Sequence, residues 1–403
     1  MDVTIGKASE LLSFSRPSGG MRINADGKLE WVPQGQMRLD HDPVSGKPIG
    51  VLIEEQRTNE CLRSQEFENS IWFKTNGAIA PNALAAPDGT ITGCKLVEDA
   101  ANGQRRLYRN TAVLSAAAFT MSVFVHRGSL RRYIMMYPNS GGAGRIATLN
   151  LDTLALTGVS NGTISAFAEG VEVISADWVR FWVSVTFPDP VTAINAWIYS
   201  SLGPSGNTAY TGDGSSWVGL WGAQVEAGSF PTSYIPTAAA AVTRAADQIS
   251  LATEPWYNGA EGTILLVGDA TSIDGVDRAI FAIDNVTSGQ AEQIDYRVLP
   301  TLNQLLPRVR NLNVNSYSIV QTFDFAKRAE FRSALALKSG DWASALNGVL
   351  GTLSANATPM PVGMARLRFG QRGTGPVLYC GHIRRLQYFP RRLSNAELQQ
   401  VTA

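Results

Sequence analysis

The residues best suited to chemistry are aromatic, amide and guanidinium side chains that recur at period two in three apolar runs. In residues 178–187 one face is Val179, Phe181, Val183, Val185 and Phe187, which leaves Trp178, Arg180, Trp182, Ser184 and Thr186 on the other. In 194–199 the apolar face is Ile194, Ala196 and Ile198, leaving Asn195, Trp197 and Tyr199. In 119–126 it is Phe119, Met121, Val123 and Val125, leaving Ser122, Phe124 and His126. Such rings stack on the apolar faces of pyranose sugars, while amides and guanidinium groups bond the hydroxyls. If the three off-core faces share one sheet, they form a concave platform. Its ligand-contacting residues would be Trp182, Trp197, Tyr199, Arg180, Asn195, Phe124 and His126. Aromatic residues and Arg also dominate protein interfaces, so burial of the same faces against a sister chain is the competing reading.

Other chemistries find less support. A glycosidase needs two carboxylates at a set separation, and Asp284, Glu292 and Asp295 do not have the Glu-x-Asp-x-x-Glu spacing that would supply them. Glu54 and Glu55 are adjacent, so on a strand they point to opposite faces, and a salt bridge with Arg57 is the expected role. There is no Gly-x-Ser-x-Gly, and the histidines at 41, 126 and 382 have no visible partners. No catalytic residue is assigned. The cysteines Cys61, Cys94 and Cys380 form no Cys-x-x-Cys, so small buried thiols are expected and no metal site or cofactor is assigned. Asp269, Asp274 and Asp277 around Gly275 have the chemistry of a calcium loop, with a solvated loop as the alternative. The arginine pairs 105–106, 131–132, 384–385 and 391–392 are set either for an acidic glycan or for ordinary salt bridges.

The elements that must position these residues are strands. Hydrophobic residues make up 44% of the 403 and charged residues 17%, a globular composition with room for two or three cores. Lys+Arg and Asp+Glu balance at 34 each, so no bulk field draws the chain to nucleic acid or an anionic membrane. No apolar run approaches the roughly 18 residues of a membrane span, and residues 1–20 lack a signal-peptide pattern. A soluble protein made in a cytoplasm is expected.

Strand runs separated by Asn139-Ser-Gly-Gly, Asn161-Gly, Asp189-Pro and Gly203-Pro-Ser-Gly predict an all-β chain. The expected organisation is an N-terminal attachment arm (1–59), a β-sandwich or jelly roll (60–237), an Ala-rich linker (238–247) and a second β-sandwich (248–403). In the second block, strands are expected at 262–269, 279–284, 292–299, 314–322 and 329–338. A capping box, Ser394 with Glu397, opens a short C-terminal helix. The arm, with an Asp26-Gly27 hairpin but few apolar residues, needs a neighbour to pack on.

Three stretches carry resemblances. Arg38, Asp40, Asp42, Pro43, Gly46, Pro48, Gly50, Leu52, Ile53, Glu54, Glu55, Arg57, Thr58, Asn59, Ser64 and Phe67 make a pattern similar to the start of tail-fibre, tail-spike and head-spike proteins of tailed bacteriophages. Gly222-Ala-Gln-x-Glu-x-Gly228 followed by Thr232-Ser-Tyr-Ile-Pro-Thr237 resembles the last strand of carbohydrate-binding-module-like jelly rolls in such proteins. Residues 260–403, ending in Gly381-x-Ile-x-x-Leu and Leu393-Ser-x-x-Glu-Leu398, resemble concanavalin A-like (laminin G-like) domains. The resemblances imply a non-enzymatic virion protein, commonly a homotrimer, held to tail or capsid proteins by its arm and binding host surface polysaccharide. A depolymerase spike and a purely architectural component are the alternatives.

Overall fold

The computed structural model describes residues 2–4, 12–204, 208–270, 276–285, 291–299, 304–324, 329–373, 375–376 and 378–403. Apart from the helix Asn395–Thr402, its regular elements are strands, in two β-sandwiches.

The first sandwich is built on two very long strands, Arg106–His126 and Trp178–Ser201, paired antiparallel along most of their length. Residues 178–187 and 194–199 are therefore halves of one strand, and no turn separates them. Register breaks between Ala112 and Ala118, where the partner runs Phe187-Pro-Asp-Pro. Proline cannot donate to a ladder, so pairing lapses there and the ribbon bends. Beyond the bend each half belongs to a different layer. Residues 116–126 and 178–186 lie with Ala166–Val173, Trp217–Ala227, Gly93–Glu98 and Gly77–Leu84. Residues 106–112 and 194–201 lie with Tyr133–Ser140, Ala143–Asn150, Leu156–Asn161 and Phe73–Thr75. Phe119, Met121, Val123, Val125, Val179, Phe181, Val183 and Val185 from one layer share a core with Leu107, Ile134, Met136, Ile194, Ala196 and Ile198 from the other. The apolar alternation read from the sequence is this core.

The second sandwich takes in more than the C-terminal block. One sheet runs Val349–Leu350, Ala343–Leu346, Phe331–Lys338, Glu261–Gly268, Gly381–Phe389, Pro48–Ile53, Leu39–His41. The other runs Ser13–Ser15, Gln248–Ala252, Arg366–Phe369, Arg278–Asp284, Gln293–Leu299, Gln304–Asn311, Val314–Ser318. Two differences from the expected strands have simple causes. Gln304–Asn311 escapes notice because Pro307 interrupts it, and 314–322 divides into Val314–Ser318 and Gln321–Thr322. The C-terminal helix opens with the expected capping box, and Leu398 packs with Leu265, Val267 and Ala334 on the sheet's outer face.

The stretch read as an attachment arm finds its neighbour in its own chain. Val51 and Ile53 enter the core of the second sandwich beside Ile264, Leu266 and Ile383. The segment read as a linker carries the strand Val242–Arg244, which pairs with Arg57–Asn59. The chain thus enters and leaves the first sandwich through one two-stranded neck, and strands from both sides of that excursion complete the second.

Around the neck the phage-like pattern and the jelly-roll closing pattern interlock. Arg38, fully buried, donates to Glu54 (2.7 Å), to Ser233 (2.8 Å), to the Met21 carbonyl (3.0 Å) and to Asp247. Arg16 donates to Asp247 at 2.9 Å, and Arg244 stands 3.5 Å from Glu54. Burial alone would raise the Glu54 carboxyl, but Arg244 and Arg38 hold it far below the usual carboxylate range. The Asn59 amide is satisfied at both ends, donating to the Ile235 and Ala223 carbonyls and accepting from the Cys61 and Val225 amides. Ser64 meets the Tyr234 hydroxyl at 2.6 Å. Glu55 pairs with Arg57, as its place beside that residue predicts, and also with Arg278. Two glycines are required here: at Gly50 (φ +125) a Cβ would sit 2.7 Å from the Ile383 carbonyl oxygen, and at Gly228 (φ +123) it would collide with the Arg57 guanidinium.

Candidate functional site

Because the long strands bend, the off-core faces of their two halves point away from the shared core in opposite directions. The seven residues expected on one platform are therefore divided between two surfaces. Phe124, Arg180, Trp182 and His126 belong to the layer that faces the arm, and Asn195, Trp197 and Tyr199 to the other.

On the arm-side layer the surface is closed. Phe124 is buried among Trp178, Trp221 and Tyr234, under Met21 and Leu29 of the arm. Arg180 is buried beside it, its guanidinium donating to Ser122 Oγ (2.9 Å) and to the Thr232 carbonyl (2.7 Å). Trp182 is 8% exposed, its ring lying over Gly170 with no space for a Cβ there. His126 is half-buried between Trp178 (5.0 Å) and Trp217 (6.0 Å), and burial lowers its pKa. A cavity of about 230 Å³ remains at the junction of arm and sandwich. The charged groups around it already have partners: Glu54 as described, and His382 between Asp40 (3.0 Å) and Asp269 (3.0 Å).

The opposite face is open at Phe73, Arg106, Tyr108, Asn110, Asn195 and Trp197, and closed where Met135, Tyr137, Asn139 and Tyr199 are buried. Cross-strand register aligns Phe73, Tyr108, Trp197 and Tyr137 in one row across four strands. Their rings touch in sequence: Phe73 stacks on Tyr108 (5.2 Å), and Tyr108 and Tyr137 each present an edge to Trp197 (6.0 and 5.5 Å). With strands roughly 4.8 Å apart, the row spans on the order of 14 Å. The next row on one side is Asn110, Asn195 and Asn139. Asn195 donates to Asn139 at 2.9 Å, and Asn161 beyond it donates to the Tyr137 hydroxyl at 2.8 Å. The row on the other side is Arg106, Tyr199 and Met135. The Arg106 guanidinium lies 4.6 Å from the Tyr108 ring centroid and 5.0 Å from that of Trp197. Phe73 is 51% exposed, whereas Tyr199 is buried as the floor of its row, its phenol pKa raised by that burial. The indole N–H of Trp197 has no hydrogen-bond partner among the described residues.

Of the expected site residues, this face unites Asn195, Trp197 and Tyr199. It adds Arg106, read in the sequence as half of an arginine pair set for an acidic glycan or for salt bridges, and Phe73, Tyr108, Tyr137, Asn139 and Asn161, which the sequence reading passed over. Their signal was the same period-two alternation: Arg106, Tyr108 and Asn110 are spaced by two, as are Met135, Tyr137 and Asn139.

The remaining candidate carboxylates have structural partners. Asp284 takes Arg368, Asp295 takes Arg308 (2.6 Å), and Glu292 accepts from the Leu312 and Val362 amides. Of the calcium-loop candidates, Asp269 holds His382, Asp277 accepts from Arg297 (2.9 Å), and Asp274 and Gly275 lie outside the described residues. Among the described residues no group of three His, Cys, Asp or Glu is set to hold a metal ion. The three cysteines are buried and unpaired. No helix among the described residues is long and apolar enough to cross a membrane.

No protein-family model matches the chain, and no curated protein matches it. Among solved structures it is similar over part of its length to the CBM40 domain of the Ruminococcus gnavus IT-sialidase bound to alpha2,3 sialyllactose, at 18% identity over 36% of this chain and 84% of that one, TM-score 0.32. It is likewise similar to the SAP-like pentraxin of Limulus polyphemus, at 12% identity over 36% and 70%, TM-score 0.30. A third likeness is to the binding domain of botulinum neurotoxin DC, at 15% identity over 39% and 40%, TM-score 0.30. At these scores no ligand carries over to this chain.

Proposed function

We propose that this chain is a non-catalytic structural protein of a tailed-phage particle, a tail-fibre, tail-spike or head-spike component, that binds host surface polysaccharide through the open face of its first sandwich. The carrying observation is the partly exposed ring row Phe73–Tyr108–Trp197, closed at one end by the buried Tyr137 and flanked by Asn110, Asn195 and Arg106. Successive sugar rings can stack along such a row while the amides bond their hydroxyls. The particle identity rests on the Arg38–Phe67 resemblance. Homotrimeric assembly, with other virion proteins as partners, is the arrangement common to proteins of that kind.

The test is attachment to host cells. Trp197→Ala and Tyr108→Ala should each weaken it about ten- to hundredfold, with the oligomer mass and melting temperature of the parent. Undiminished attachment by both variants would overturn the reading. Should the oligomer dissociate first, the face is an interface between copies, as aromatic and arginine enrichment also allows.

A further inference from the structure

The arginine pairs of the sequence resolve into two kinds. Arg105 is buried against Glu98 and backbone carbonyls, Arg131 pairs with Glu98 and Asp213, and Arg132 pairs with Asp152. Arg384, Arg391 and Arg392 likewise have carboxylate partners. Arg106 differs. No carboxylate pairs with it among the described residues, and it is held by ring faces and by a hydrogen bond with the Tyr199 hydroxyl. Its Nε–H, closed off from solvent, has no partner among the described residues.

Stacking restrains the plane of a guanidinium, and in half-buried Arg106 it leaves the N–H groups not bonded to Tyr199 for a planar acceptor in that plane. A planar fork without an acidic neighbour is complementary to a carboxylate, which it binds bidentately. None of the off-core positions in the three rows is acidic, so no carboxylate on them neutralises the charge of Arg106. The opposite edge of the ring row is built of neutral amides suited to hydroxyls. The face is thus asymmetric, with an anion-seeking edge and a hydroxyl-seeking edge on either side of the stacking row.

We infer that the open face selects a polysaccharide bearing sugar carboxylates, and that Arg106 is the residue that reads the carboxylate. This rests on the platform reading above. The test measures binding of the full chain to immobilised polygalacturonate and hyaluronate, each beside its carboxyl-reduced neutral form, and to dextran sulfate. The parent should bind an acidic polymer about ten- to hundredfold more tightly than its reduced form. Arg106→Gln should lose that factor on the acidic polymer alone, and Arg106→Lys should recover only part of it, since it restores charge without the fork. Added salt should shrink the difference. Reduced polymers bound as well as acidic ones, in a Trp197-dependent manner, would overturn the inference and leave the platform reading intact. So would Arg106→Gln binding like the parent, or dextran sulfate binding as tightly as the uronates. No binding to any polymer would overturn both.

Discussion

Arg180 and Arg106 sit on the same two-stranded ribbon, each beside aromatic rings, on opposite sides of one sandwich. Arg180 lies 5.5 Å from the Phe124 ring, and Arg106 lies 4.6 Å from that of Tyr108. Arg180 is enclosed, bonded to Ser122 and to the Thr232 carbonyl of the closing segment, with the arm packed over its neighbours. Arg106 is half-buried and has no comparable cover from the arm. Identical alternation and similar chemistry therefore yield a structural joint on one face and, on the other, the surface proposed for recognition. What separates them is which face receives residues 12–59, and that depends on the second sandwich, whose strands the arm completes.

The largest effects should come from the buried joint. Asp247→Ala leaves Arg16 and Arg38 without their shared carboxylate in a dry site, and should cost about 3–5 kcal/mol of stability, or prevent folding altogether. Denaturant unfolding would measure this; a loss below about 1 kcal/mol would mean that the network is not the clamp its geometry describes. Phe124→Ala should follow, at about 3–5 kcal/mol for an aromatic removed from a closed cluster. Phe73→Ala on the open face should cost less than about 0.5 kcal/mol, in line with exposed substitutions, while reducing polysaccharide binding. Equal stability losses at the two phenylalanines would erase the contrast between the faces.

Truncation sharpens the comparison at the level of whole layers. A fragment of 248–403 lacks Ser13–Ser15 and Pro48–Ile53, each hydrogen-bonded into one of its sheets, and should be unfolded by circular dichroism. Removing 60–241 and joining Asn59 to Val242 by a short Gly-Ser link should instead leave a folded second sandwich, because those two residues are already strand partners. A folded 248–403 fragment would show that the arm is dispensable to it.

A smaller effect concerns pH. Burial would lower the pKa of His382, but Asp269 and Asp40 outweigh it and push the group up to about 10. A raised folded-state pKa means that the stabilising charge is fully present below the unfolded value near 6.5, and is lost as pH rises through about 10. Melting temperature should therefore decline between pH 7 and pH 10, and His382→Gln should flatten that decline while lowering stability at pH 6. Glu54 acts on the acid side: its depressed pKa gives stability present above its ordinary value, lost as pH falls below it. An alkaline limb unchanged in His382→Gln would remove the Asp40–His382–Asp269 contact from the account.

Much was legible in the chain itself. Period-two alternation identified the core positions Val179, Phe181, Val183, Ile194, Ala196 and Ile198, because side chains on a strand leave its two faces in turn and water sorts them. Ser394 and Glu397 announced their helix, since capping is settled within four residues. Asn195, Trp197 and Tyr199 could be named as off-core for the same local reason. Local pattern could not say where an off-core face points. The bend at Phe187-Pro-Asp-Pro sends Trp182 and Trp197, fifteen positions apart on one strand, to opposite sides of the sandwich. Nor could it say that Phe73, Tyr108 and Tyr137, from three other strands, would register with Trp197, because register depends on pairings between segments far apart in sequence. The arm's destination was hidden for the same reason. Ile53 and Ile383 lie 330 residues apart in the chain, and only the closed second sandwich, which loses water on both sides of that pair, brings them together.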